Sequence, residues 1–251
     1  MRRRKAFTLV ELMIVIGVIL LLVSIIVPAI SAAREQARAV KCQNNIHQLW
    51  QGYVAFAEVH DNRLPGASFD GGNRDPDKRD WMQGAQVGNV LAAPQQGTIF
   101  KYVGRSYDTY RCPSLDLAAT GTGIGPGGGS NGHFDYSAFV YVTGCRLDRL
   151  PLRATVMATG RTESLPAPVM VEEESAHMNG NHGMEAGHSN TDTLASHHRG
   201  GSFFCGTDGS VQWIGAPWIN AQALNWTTRS PRGKTVSLGT TNITWSWYER
   251  Q

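Results

Sequence analysis

Apolar residues run almost without interruption from Phe7 to Ile30, and no charged residue occurs between Leu12 and Ile30. A run of that length predicts a helix able to cross the ~30 Å hydrocarbon core of a bilayer. After Ile30 the chain turns polar, but apolar residues return at Cys42, Ile46, Leu49, Tyr53 and Phe56 or Ala57. A spacing of three or four marks one face of a helix. No Gly or Pro interrupts between Pro28 and Gly52, so the same helix is expected to continue to about His60 and to stop before Asn62-Arg63-Leu64-Pro65-Gly66. Pro28 lacks an N–H and crowds the preceding turn, which predicts a kink or a locally melted turn. The rod is then greasy all round in its first half and amphipathic in its second, and the second half needs a sheet or loops to cover its stripe.

Beyond the rod the periodicity weakens. Gly97 to Val103 reads as a short helix or strand, Phe134 to Val142 as an aromatic strand, and Val169-Met170-Val171 as a buried one; Ile243, Trp245 and Trp247 alternate as a strand would. The carboxylates between Asp70 and Asp80 lack the spacing of an EF-hand and read as a solvated loop. The glycine-rich stretch Gly121 to Gly132 lacks the Gly-Lys-Ser/Thr ending of a phosphate loop. The sharpest signal is His198 followed by Asp208-Gly209. Asp-Gly between β-like runs predicts a hairpin with Ser202 to Gly206 as one strand and Ser210 to Ile214 as the other. Gly209 would supply the positive φ, and His198 would brace the hairpin through Asp208 or a nearby carbonyl. The expected fold class is α+β: a long N-terminal helix packed on an antiparallel β-sheet domain.

Charge adds a topology. The formal net charge is only +3, and Arg2, Arg3, Arg4 and Lys5 stand ahead of the apolar run. A nearly neutral body excludes broad nucleic-acid binding, which needs a basic surface. A basic leader is expected to stay cytoplasmic, so a single-pass helix would leave the large C-terminal part facing outward. A cleaved secretory signal is the rival reading, with Ser31-Ala32-Ala33 as its best cleavage site. Glu11 is the exception in the apolar segment, and a carboxylate there calls for a partner or a purpose.

Four cysteines in an oxidising compartment permit disulfides. Cys42, Cys112, Cys145 and Cys205 allow three pairings. Cys42 lies on the apolar helix face toward the body, which favours Cys42–Cys112 with Cys145–Cys205; four buried thiols are the alternative. His177, His182, Glu185, His188 and His197 offer metal-ligand atoms, but their scattered spacing in a Gly-, Asn- and Ser-rich segment reads as loop. No metal, no cofactor and no catalytic residues are expected, since no nucleophile–base–orienter set is legible.

The start Ala6-Phe7-Thr8-Leu9-Val10-Glu11, with Pro28 farther on, resembles the signal of type IV prepilins and type II secretion pseudopilins. Ala6 stands where those precursors usually have Gly. The spacing of His198 to Asp208-Gly209, together with Cys42-Gln43-Asn44-Asn45-Ile46 and Arg111-Cys112-Pro113-Ser114, is similar to a large pilin-like family expanded in planctomycetes and relatives. The resemblance implies a leader at 1–6, a transmembrane and filament-core helix at 7–30, its amphipathic continuation at 31–62 and a β-rich extracytoplasmic domain at 63–251. It implies cleavage between Ala6 and Phe7 by prepilin peptidase and N-methylation of Phe7. Glu11 would neutralise the amino terminus of an adjacent subunit, and Pro28 would loosen the helix on assembly. The implied partners are further copies, other pilin-like subunits and an inner-membrane assembly platform. The implied role is a structural subunit of a pseudopilus or type IV pilus-like filament, not an enzyme. Two other readings stand beside it: a membrane-tethered module that binds a glycan, metal or secreted substrate without polymerising, and a zinc hydrolase on the same anchor.

Overall fold

The computed structural model describes residues 8–66, 81, 94–114, 135–139, 144–150, 153–158, 161–166, 168–172, 183–184, 198–215, 225–229 and 235–237. Ala6 and Phe7, the 70–80 loop, the glycine-rich 121–132 stretch, the strand expected around Ile243 to Trp247, and His177, His182, Glu185, His188 and His197 lie outside them.

One helix, α1 (Leu9–Glu58), carries the first part of the chain through 50 residues. Its end follows from local chemistry. Asp61 and Asn62 both take positive φ, 52° and 59°, a conformation their short polar side chains tolerate better than most. The N–H of Asn62 then turns back to the carbonyl of Ala57 at 3.0 Å. The melted turn expected at Pro28 is not seen: α1 is assigned without a break across it. Proline removes one backbone hydrogen bond, and the turns on either side carry the helix through.

Among the described residues, nine strands form two sheets. The first is ordered β5 (Gly183–Met184), β1 (Tyr136–Phe139), β4 (Pro168–Glu172), β6 (Gly201–Gly206), β7 (Val211–Gly215). Its pairings are antiparallel apart from β1 with β5, which run parallel. The second is antiparallel throughout, ordered β3 (Arg161–Pro166), β2 (Arg153–Ala158), β8 (Asn225–Arg229), β9 (Thr235–Ser237). The chain is thus α+β as expected, with a second sheet that its hydrophobic pattern did not announce. Gly97 to Val103, read as a short helix or strand, make a helical turn in which Val103 N–H reaches the Ile99 carbonyl at 3.2 Å.

The second half of α1 lies against β6, β4 and β7 and against a three-ten turn at Tyr107–Tyr110. The residues it buries are Cys42, Asn45, Ile46, Leu49, Trp50, Gly52, Tyr53, Phe56 and Ala57, the anticipated stripe with a few additions. Aromatic rings continue the core outward: Tyr53 meets Trp81 at 5.9 Å between centroids, and Trp81 stacks on Tyr110 at 5.8 Å. By contrast, every residue from Thr8 to Arg34 is exposed.

Candidate functional site

Two places on α1 carry chemistry. The first is its head. Thr8 caps the helix and Glu11 completes a capping box. The backbone N–H and the hydroxyl of Thr8 donate to Glu11 Oε2 at 2.9 and 2.8 Å, and the Glu11 N–H approaches Thr8 Oγ1 at 3.2 Å. Both contacts to the carboxylate use one oxygen, so Oε1 still has lone pairs to offer. The acid lies at the positive end of a helix dipole, where negative charge is favoured. Downstream, α1 is the helix long and apolar enough to cross a membrane among the described residues, and none of its most apolar window is buried.

The second place is where the rod meets the body. Cys42 projects from α1, Cys112 from the turn after Tyr107–Tyr110, and His198 from the turn preceding β6. All three are buried, at 0%, 2% and 2% exposure. Their Sγ, Sγ and ring-nitrogen atoms lie within 4.8 Å of one another. His198 Nε2 is 3.4 Å from Cys112 Sγ, and Nδ1 is 3.2 Å from Glu35 Oε1 on α1. A neutral imidazole that donates from Nδ1 to the Glu35 carboxylate leaves Nε2 with its lone pair toward the sulfur. Ser114 Oγ donates to the same Glu35 oxygen at 3.1 Å.

Each partner is fixed by neighbouring structure. Cys112 N–H donates to buried Asp135 Oδ2 at 2.8 Å, and Ser114 N–H reaches Cys112 Sγ at 3.4 Å, so the Cys-Pro-Ser turn is pinned from two sides. The Tyr136 hydroxyl from β1 lies 3.3 Å from Cys42 Sγ and 3.3 Å from the Arg111 carbonyl. Asn45 donates from one amide nitrogen to the carbonyls of Asp108 and Arg111 at 2.9 and 2.8 Å, clamping the three-ten turn to the helix. His198 exchanges backbone hydrogen bonds with Gly201 at 3.1 Å each way, across Arg199 and Gly200, both at positive φ. The Arg199 guanidinium then reaches Gln36 Oε1 at 2.8 Å.

The structure changes the meaning of several expected residues. β6 and β7 do form a hairpin, and Gly209 at its tip has φ of 79°. A Cβ there would stand 2.9 Å from the Trp50 indole, so the tip also needs glycine to close on α1. Asp208 Oδ1 caps that turn, accepting from Ser210 N–H and Oγ at 2.9 and 2.7 Å. His198 braces the hairpin with its backbone, and its carbonyl accepts from Trp213 Nε1 at 2.8 Å. Its ring turns instead to Glu35 and Cys112 on the helix side, a departure from the expected bond to Asp208 or a carbonyl. All four cysteines are buried. Cys42 and Cys112 do come together, but around an imidazole. Burial and nearby Asp208 push the Cys205 thiol well above its ordinary range, so it stays protonated.

A cavity of about 280 Å³ borders this region, lined by Glu35, Gln36, Ala39, Gln43, His198, Arg199, Phe203 and Trp213. Neither sulfur of the cluster is among its walls. Glu35 escaped notice in the sequence, and Asn45 was read only as part of the Cys42-to-Ile46 motif. Both lie on the same helical face as Cys42, at i−7 and i+3, and a polar residue on an apolar stripe is the signal that points to them.

Two family models match separate stretches of the chain. Residues 1–27 match the family model described as "Prokaryotic N-terminal methylation motif". Residues 31–147 match the model described as "Protein of unknown function (DUF1559)". No curated protein and no solved structure matches the chain.

Proposed function

We propose, from the match of residues 1–27 to a prokaryotic N-terminal methylation motif and of residues 31–147 to DUF1559, that this chain is a structural subunit of a pseudopilus or type IV pilus-like filament. In this reading prepilin peptidase cuts between Ala6 and Phe7, Phe7 is N-methylated, and the chain is held in the cytoplasmic membrane with its body in the periplasm. The observation that carries the reading is an α-helix whose apolar first half is exposed on all sides and headed by a single carboxylate. Such a surface requires lipid before assembly and other helices after it.

Glu11 suits the transfer between those states. While Thr8 occupies Oε2, the carboxylate is tolerated at the membrane edge. The oxygen Oε1 is then available to the cationic terminus of a neighbouring copy, and pairing removes the penalty of a charge in an apolar helix core. Partners are accordingly further copies, other pilin-like subunits and an assembly platform in the same membrane.

Intact mass and one substitution test this. Mature protein extracted from membranes should lack the leader through Ala6 and carry one added methyl group. Glu11→Ala should be processed and inserted normally but should fail to enter sheared filaments or to crosslink with itself. Protein that retains Met1, or begins downstream of Phe7, overturns the reading. A Glu11→Ala chain that assembles as well as the parent also overturns it, and leaves a tethered binding module in its place.

A further inference from the structure

We propose that Cys42, Cys112 and His198 form a zinc site that fastens the rod to the body. Two thiols and an imidazole, all buried, converge with their donor atoms within 4.8 Å of one another. Thiolate sulfur and imidazole nitrogen are the donors zinc prefers, at about 2.3 Å and 2.0–2.1 Å. On a tetrahedral ion those bond lengths place sulfur and nitrogen roughly 3.5 Å apart. The Cys112 Sγ to His198 Nε2 separation is 3.4 Å.

The surroundings of the donors point the same way. A metal-bound imidazole characteristically gives its other N–H to a carboxylate, which fixes the tautomer and aims the ligating nitrogen. Glu35 stands in that position at 3.2 Å from Nδ1 and is itself held by the Ser114 hydroxyl at 3.1 Å. The backbone N–H of Ser114 faces the Cys112 sulfur at 3.4 Å, and the Tyr136 hydroxyl stands 3.3 Å from the Cys42 sulfur. Each ligand residue thus has an outer partner: Glu35 for His198, Tyr136 for Cys42 and, within the same turn, Ser114 for Cys112.

The same residues in the order Glu35, His198, Cys112 also resemble a set for activating a nucleophilic thiol. Access argues against that use: the neighbouring cavity is walled by Glu35 and His198 but by neither sulfur. A second thiol beside the first has no part in such chemistry, whereas a metal uses both. Binding releases the two thiol protons as Zn²⁺ takes two thiolates and one neutral imidazole, with the fourth position left to water or another donor. The ion would join α1, the Cys-Pro-Ser turn and the start of the hairpin, which otherwise meet through hydrogen bonds and apolar contact.

The test uses the full chain, purified from membranes in detergent, in three measurements. Elemental analysis should find one zinc per chain, and removal by a chelator should lower the thermal unfolding midpoint. Cobalt(II) added to the metal-free protein should give an intense thiolate-to-metal charge-transfer band. Cys112→Ser and His198→Gln should lose the band, Cys205→Ser should keep it, and Glu35→Gln should bind about 10–100-fold more weakly. Three results on the unmutated chain overturn the proposal without relying on any variant's folding. They are a Cys42–Cys112 disulfide in native material, metal-free protein that takes up neither zinc nor cobalt while its thiols alkylate, and copper(I) in place of zinc. Cobalt spectra unchanged in both Cys112→Ser and His198→Gln overturn it as well.

Discussion

The two halves of α1 share one backbone and one hydrogen-bonding pattern, yet they solve opposite problems. From Leu9 to Ile30 the large apolar side chains are exposed, Leu20 by 66% and Ile25 by 65%. From Cys42 to Ala57 one stripe is sealed, with Ile46, Leu49, Tyr53 and Ala57 at 0%. The second half has its partner within the chain, whereas the first can be satisfied only by lipid or by other helices. Folding of the body and assembly of the rod are therefore separable, and a substitution in one half should leave the other's property standing.

The largest expected effect breaks that symmetry directly. Leu49→Ala should lower the body's unfolding free energy by about 2–5 kcal/mol, the usual range for a buried leucine. Leu20→Ala should leave it within about 0.5 kcal/mol, as for a site outside the core. Chemical denaturation of detergent-solubilised protein measures both, and equal losses would dissolve the distinction. Next comes Asn45, a polar residue inside the stripe. Asn45→Ala removes the donor shared by two backbone carbonyls and should cost about 1–3 kcal/mol. Protease cutting near Tyr107–Tyr110 should rise in parallel.

The smallest effect is in the opposite direction and depends on pH. Tyr110 is buried, and its hydroxyl has no hydrogen-bond partner among the described residues. Burial pushes the phenol far above its ordinary value. The folded state therefore favours the neutral form, and stability is lost as pH rises past the unfolded tyrosine value of about 10. Tyr110→Phe should gain about 1 kcal/mol at neutral pH by removing an unsatisfied group. It should also be less sensitive to base, which unfolding midpoints measured across alkaline pH would reveal.

What could be read in advance follows the range of the interactions. The stripe on α1 was legible because period 3.6 is a local property, and the β6–β7 hairpin because Asp208-Gly209 dictates its own turn. The cluster was not legible as a unit. His198 is 86 residues from Cys112 and 163 from Glu35, and nothing local announces that three distant segments will meet. Each member had a plausible local meaning: Glu35 as helix surface, Cys112 as a disulfide partner, His198 as a hairpin brace. The second sheet escaped for a related reason. Arg153-Ala-Thr-Val-Met-Ala in β2 and Arg161-Thr-Glu-Ser-Leu-Pro in β3 carry no clean alternation, so their pairing is decided by the neighbours they find.

The unbroken passage of α1 through Pro28 has a mechanical consequence. At 1.5 Å per residue, Leu9 to Ile30 measures about 33 Å, close to the thickness of the hydrocarbon layer. With the apolar run spanning a bilayer as proposed, Glu35 and Gln36, where the hairpin turn grips the helix, would stand roughly 8 Å farther on, near the outer limit of the lipid headgroups. Among the described residues the helix runs on without a break from the apolar run to that grip. In the proposed anchoring, a tilt of the apolar segment would carry the hairpin turn with it.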